Sequence, residues 1–186
     1  AHVSPSQVRY VEAHGTGTKL GDSIEMAALG AVMQAGRDRE DGSKFRCIVA
    51  SVKSNIGHLE AAAGVMGLIR CALILYHGQV PKAVHFEQPN PLIPWERLPF
   101  IIPGANMPLL EDGADDDPGA TVVAGVSAFG FGGTNAHCVL ESVPKNFDFD
   151  EGFDTAVTAS STSKQPLPLL LPVSARSEEA LKKLVG

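Results

Sequence analysis

Val8-Arg-Tyr-Val-Glu-Ala-His14-Gly-Thr-Gly-Thr-Lys-Leu-Gly21-Asp22 is the stretch on which the fold turns. Residues 8–13 are β-branched, aromatic and apolar enough to form a strand, and the glycines that follow end it. Asp22 with Glu25 three residues later is the signature of a helix N-cap and capping box. Ile24, Ala28, Val32 and Ala35 then share one face at helical spacing, so the helix is expected to run to about Gly36.

The same grammar returns downstream. A charged loop over 37–46 leads into Cys47-Ile-Val-Ala-Ser-Val52, a strand apolar enough to be central, and Lys53-Ser-Asn-Ile-Gly-His58 is the loop at its end. The segment 59–77 is apolar nearly all round and rich in Ala and Gly, which predicts a helix buried on several sides and stopped by Gly78. Glu60 and Arg70 interrupt it, favouring a core helix over a membrane span. Recurrent prolines predict an extended wrapping loop over 81–108, and an acidic surface loop follows at 111–119. Strands at 120–128 and 135–141 are joined by Phe129-Gly-Phe-Gly-Gly-Thr134. Alternating strand–loop–helix units predict an α/β fold with a largely parallel sheet, whose sites gather at the carboxyl ends of strands.

Residues 143–166 are Ser/Thr-rich and read as a linker. An apolar run resumes at 167–173, and Ser177 opens a further helix. The chain also starts abruptly, just ahead of its first strand, as though cut from something longer.

With 186 residues, 44% of them apolar and 19% charged, the chain has the composition of a globular protein with a sizeable core. A net charge of −6, with no Lys/Arg cluster longer than two neighbours, excludes an electrostatic nucleic-acid footprint. Cys47, Cys71 and Cys138 form neither a zinc pair nor a disulfide framework, which points to a reducing, cytoplasmic compartment. All three read as buried fillers within strand or helix runs. No signal-peptide pattern opens the chain.

His14 and His58 stand apart from the other histidines because each ends a strand, sits in a Gly-containing turn and precedes a helix. Two such imidazoles on neighbouring strands could donate hydrogen bonds to one oxygen on which negative charge develops. Burial beneath the 59–77 helix is expected to keep them neutral. His2, His77, His85 and His137 read as structural. No ligand-spaced group nearby completes a metal site. The Gly15–Gly21 spacing invites a dinucleotide-binding reading, but it is GxGxxxG, Asp22 would repel a pyrophosphate at the helix start, and Lys53 stands where an acidic ribose ligand would. The two phenylalanines of the 129–134 turn suggest a loop presenting rings to a pocket, with Asn135 tying it through its side chain.

Together these motifs resemble one family, the β-ketoacyl synthase (ketosynthase) domains of polyketide and fatty acid synthases. The matching segments are Val11-Glu-Ala-His-Gly-Thr-Gly-Thr18 with Gly21-Asp22, Val52-Lys-Ser-Asn-Ile-Gly-His58 with Glu60-Ala-Ala-Ala-Gly64, and residues 125–137 containing Phe-Gly-Phe-Gly-Gly-Thr-Asn. In overall style the chain is most similar to a type I iterative polyketide synthase. The resemblance implies a thiolase-like fold, of which residues 1–142 supply the C-terminal βαβαβ half, a mixed sheet covered by helices. It implies that 143–166 is a linker and that 167–186 begins the region joining ketosynthase to acyltransferase.

The implied activity is decarboxylative Claisen condensation of an acyl chain with a malonyl-type extender. His14 and His58 match the histidines of the Cys-His-His set and Lys53 the supporting lysine, whose usual acidic partner falls at Gly67 here. Thr16 and Thr18 match positions that bond the phosphopantetheine arm, and Phe129 and Phe131 the gating aromatics. No cofactor binds directly, since substrates arrive on the phosphopantetheine of an acyl carrier protein. The other implied partners are the N-terminal half of the domain and a second copy in a homodimer, with no nucleic acid and no membrane span. The family's nucleophilic cysteine lies in a Cys-Ser elbow that this sequence does not contain, so the chain alone is expected to be inactive. The alternative is a non-catalytic ketosynthase-like scaffold.

Overall fold

Val8–Glu12 (β1) lies at the centre of a five-stranded sheet, flanked in parallel by Cys47–Ala50 (β2) and Val123–Phe129 (β6). The short strand Phe100–Ile101 (β4) pairs in parallel with β2, while Asn135–Glu141 (β7) returns antiparallel to β6. The order β4-β2-β1-β6-β7 makes the sheet mixed. Gln79–Val80 (β3) and Met107–Pro108 (β5) form a separate antiparallel pair. The computed structural model describes residues 2–34, 46–110 and 121–144, all within one unit that spans 1–147.

Strand alternation sends successive side chains to opposite faces, and each face carries its own core. Val11 and Ala13 join Val49, Val123 and the helix Lys19–Met33 (α1) through Met26 and Met33. Tyr10 joins Ile48, Ala124 and the helix Ala63–His77 (α3) through Cys71 and Ile74. The sheet is thereby sandwiched between α1 and α3. Gly78, in the left-handed region at φ 63, ends α3 as its sequence predicts.

Several expectations are corrected. The cap of α1 is Thr18, whose hydroxyl accepts the Gly21 N–H at 3.2 Å, so Asp22 lies inside the first turn and Glu25 closes no capping box. Residues 53–58 are not all loop: Lys53–Ile56 form a single helical turn (α2). A 3-10 turn, Glu60–Ala62, precedes α3. One face of α3 is buried, by Ala63, Gly67, Arg70, Cys71 and Ile74, rather than several; Val65, Leu68, Ile69, Leu73 and Tyr76 are exposed. By length and composition residues 60–77 could cross a membrane, but here they cover a sheet. The proline-rich 81–108 segment also carries β4, which extends the sheet through the N–H of Cys47 donating to the Pro99 carbonyl.

Cys47 and Cys71 are buried fillers as read, with thiols pushed up to about 12 mainly by burial, but Cys138 is exposed on the edge strand β7. The loop residues 37–45, the acidic loop 111–119 and the linker and tail beyond Pro144 lie outside the described residues.

Candidate active site

Because β1, β2 and β6 are parallel neighbours, their carboxyl ends deliver His14, the Lys53–His58 turn and Phe129 to one edge of the sheet. The His14 and His58 rings meet edge to face with centroids 5.6 Å apart. Phe129 leans on His14 at 5.3 Å.

Each imidazole is oriented by a backbone amide. The Phe129 N–H donates to His14 Nδ1 at 3.3 Å, and the Glu60 N–H donates to His58 Nδ1 at 2.9 Å. A ring nitrogen that accepts carries no proton, so this network assigns the proton of both rings to Nε2. Both Nε2–H groups are therefore available as donors. Glu60 reaches His58 from a left-handed backbone at φ 47, uncommon for a residue with a side chain. His14 is half-buried and His58 exposed, so the pair is not buried beneath α3 as expected. For His14 the pKa is lowered by partial burial first, then by the charges of Lys53 and His58.

The turn behind His14 is clamped by a carboxylate. Glu25, buried on α1, accepts the His14 N–H at 2.8 Å and the Gly15 N–H at 2.9 Å. Burial raises its pKa, against the pull of those two bonds. Gly15 must be glycine twice over: its φ is 47, and a Cβ there would sit 2.8 Å from that of Ser51. Asp22 accepts the Gly17 N–H at 3.1 Å. A carboxylate thus occupies the helix start where a pyrophosphate would bind, which removes the dinucleotide reading.

Lys53 is half-buried, and desolvation lowers its pKa while the carboxylates of Glu12 and Glu25 act in the opposite direction. Gly67 can offer it no acid. Thr16 and Thr18 are exposed, with hydroxyls 3.2 Å apart at the start of α1. Phe131 projects fully into solvent and does not join Phe129 at His14. The 130–134 turn is tied by its own backbone, Gly130 N–H to the Thr134 carbonyl at 2.7 Å and Gly133 N–H to that of Gly130 at 2.9 Å, rather than through Asn135. Among the four histidines read as structural, His137 bonds Ser127 at 3.0 Å and packs over Gly125. A cleft of about 580 Å3 lies on the α1 side, lined by Lys53, Asp22, Glu25, His85 and Trp95, and neither His14 nor His58 lines it. Among the described residues no cluster of His, Cys, Asp or Glu is arranged to hold a metal.

Glu12, Glu25 and Arg70 are polar residues to which the sequence reading gave no part in the site. A signal was present: a charge inside an apolar strand or helix run has to find a partner, and Glu12 and Arg70 find each other at 3.3 Å.

Two family models cover the chain, one described as the C-terminal domain of β-ketoacyl synthase over residues 1–87 and one as the ketoacyl-synthetase C-terminal extension over 89–186. The chain is 44% identical, over its whole length, to polyketide synthase GfsA of Streptomyces halstedii, and 39% identical to erythronolide synthase EryA3 of Saccharopolyspora erythraea. It spans only 2% and 5% of those proteins. Among solved structures it is similar to ketosynthase twelve of the bacillaene polyketide synthase of Bacillus amyloliquefaciens, with TM-score 0.66 and 41% identity over 76% of this chain and 23% of that one. The ketosynthase from module 6 of the bacillaene synthase of Bacillus subtilis 168 gives 0.66 and 39%, over 75% and 23%. On these matches the chain belongs to the β-ketoacyl synthase family, as the C-terminal part of a thiolase-like ketosynthase domain.

Proposed function

We propose that this chain supplies the enolate-stabilising half of a polyketide ketosynthase that performs decarboxylative condensation. The observation that carries the reading is the pair of imidazoles, 5.6 Å apart, each with Nδ1 occupied by a backbone donor and its Nε2–H available. Both protons can meet the thioester oxygen of a malonyl unit. As the bond to the carboxylate carbon breaks, its electron pair moves into the enolate, the charge settles on that oxygen, and CO2 leaves. The enolate carbon then attacks an acyl thioester on a cysteine of the N-terminal half, whose thiolate departs. Cys47 and Cys71 are buried with raised pKa values and do not suit the nucleophile's role.

Thr16 and Thr18 would receive the phosphopantetheine arm of an acyl carrier protein, and Phe129, with Phe131 swinging from its exposed turn, would line the acyl pocket. The N-terminal half is the proposed cover for the exposed face of α3, in a cytoplasmic homodimer. Residues 143–166 would serve as a linker and 167–186 as the start of the region joining ketosynthase to acyltransferase. One solved relative is the ketosynthase from module 6 of the bacillaene synthase, which supports a modular setting over the iterative style read from the sequence.

The test uses the complete domain. His14→Ala and His58→Ala should each lower malonyl decarboxylation by about 100- to 1000-fold, the usual cost of one oxyanion donor, while acyl loading of the cysteine continues. Gln at either position retains one N–H donor and should keep more decarboxylation than Ala. Parental condensation rates in both Ala variants would overturn the assignment. A complete domain that never loads an acyl group would favour the scaffold reading.

A further inference from the structure

The spacing of the two histidines depends on how the end of β2 is held against the end of β1. The main-chain ladder between these strands closes with the Ala13 N–H donating to the Ala50 carbonyl at 2.8 Å. Past that bond, one side chain continues the tie. Glu12, the last residue of β1 and 1% exposed, accepts the N–H of Val52, the residue just before α2, on one carboxylate oxygen. The other oxygen accepts the Tyr10 hydroxyl and Nη1 of Arg70, the latter at 3.3 Å. A single carboxylate therefore joins β1, the root of α2 and α3.

Room for it is made by Gly67, where a Cβ would stand 3.1 Å from Glu12 Cγ. A buried charge is a poor device for stability alone, since an apolar side chain of equal volume usually serves as well or better. What a carboxylate adds is direction, through acceptors at set positions. The main-chain bonds within the stretch it anchors are local ones, Asn55 and Ile56 N–H to the Val52 carbonyl and Gly57 N–H to that of Lys53. From Asn55 to Glu60 every residue is exposed, with Gly57 at φ 77 and Glu60 at φ 47.

We propose that Glu12 is a positioning residue of the condensing site: by holding the Val52 amide, its carboxylate seats the Lys53–His58 turn and sets the distance from His58 to His14. This rests on reading the histidines as donors to the enolate oxygen. Misplacing a reacting group by about 1 Å can cost on the order of 100-fold, and releasing Val52 frees the turn that carries His58.

The experiment compares Glu12→Ala, Glu12→Gln and Arg70→Met with the parent in the complete ketosynthase domain, and His58→Ala serves as control. Glu12→Ala should lower kcat for malonyl decarboxylation roughly 30- to 100-fold, with KM and acyl loading within about twofold. Amide hydrogen exchange across 51–58 should accelerate. Glu12→Gln keeps a carbonyl oxygen for the Val52 N–H and should recover to within about fivefold of the parent, with exchange protection restored. Arg70→Met removes the ion pair but leaves that acceptor, so it should lose stability while keeping both protection and decarboxylation.

Glu12→Ala turning over at the parental rate, or Glu12→Gln as slow as Glu12→Ala, overturns the proposal. Should Glu12→Ala not fold, Glu12→Gln decides, and a loss above about tenfold in that variant is the overturning result. If His58→Ala itself decarboxylates at the parental rate, the histidine reading falls. If His58→Ala collapses and Glu12→Ala does not, only the role of Glu12 falls.

Discussion

His14 and His58 do not owe their donor character to a buried setting. Each has Nδ1 committed to a main-chain amide, Phe129 for one and Glu60 for the other, so the protonation pattern is built into the backbone path of two turns. For His14 a pH prediction follows. Partial burial, Lys53 and His58 all depress its pKa below the ordinary 6.5. With a depressed folded pKa the unfolded chain takes the proton first, so the stabilising contribution is complete above 6.5 and fades as pH falls through the folded value. Protonation would also end the contact with Phe129, because the cation has no acceptor nitrogen. NMR titration of histidine-labelled protein should place the His14 midpoint below 6.5; a midpoint at or above that value would contradict the described surroundings.

At the scale of elements, α3 lies against the sheet through small residues. Added Cβ atoms would stand 3.2 Å from Ala128 at Gly64, and 3.1 Å from Glu12 Cγ and 3.4 Å from Val126 Cγ1 at Gly67. The last two belong to strands of a close-packed layer, so a larger group has no empty space to enter. Gly67→Val should therefore push the helix off β1 and β6 and destabilise the fold by about 1–3 kcal/mol, the ordinary cost of overpacking. Chemical denaturation measures it, and a variant as stable as the parent would show that the helix can shift freely. The glycine-rich composition of 59–77 announced close packing. It did not announce that only one face packs, since composition records neither how many layers surround a helix nor where they lie.

On the scale of the whole molecule, the exposed face of α3 is the main unfinished surface. Val65, Leu68, Ile69, Leu73 and Tyr76 lie in the open on one helix, with Tyr76 82% exposed. A row of exposed apolar side chains along one helix is the kind of surface that another protein surface usually covers. Produced by itself, the chain should bind a hydrophobic dye and self-associate in sedimentation. A sharp monomer with cooperative unfolding would count against that expectation.

β-Branched and aromatic residues at 8–13, glycine turns at strand ends and a helix after each turn are local properties, and they determined the α/β class, the parallel core and the placing of His14 and His58 at strand ends. Three motifs in order were enough for the family. Register and neighbour choice were not legible, because pairing partners stand far apart along the chain. That β4 joins β2 from within a proline-rich stretch, that Glu25 clamps the His14 turn instead of capping its own helix, and that Glu12 reaches Val52 across 40 residues are outcomes of the packed sheet. A carboxylate in a sequence announces only that it needs donors; which amides come within reach is decided when the strands and helices close around it.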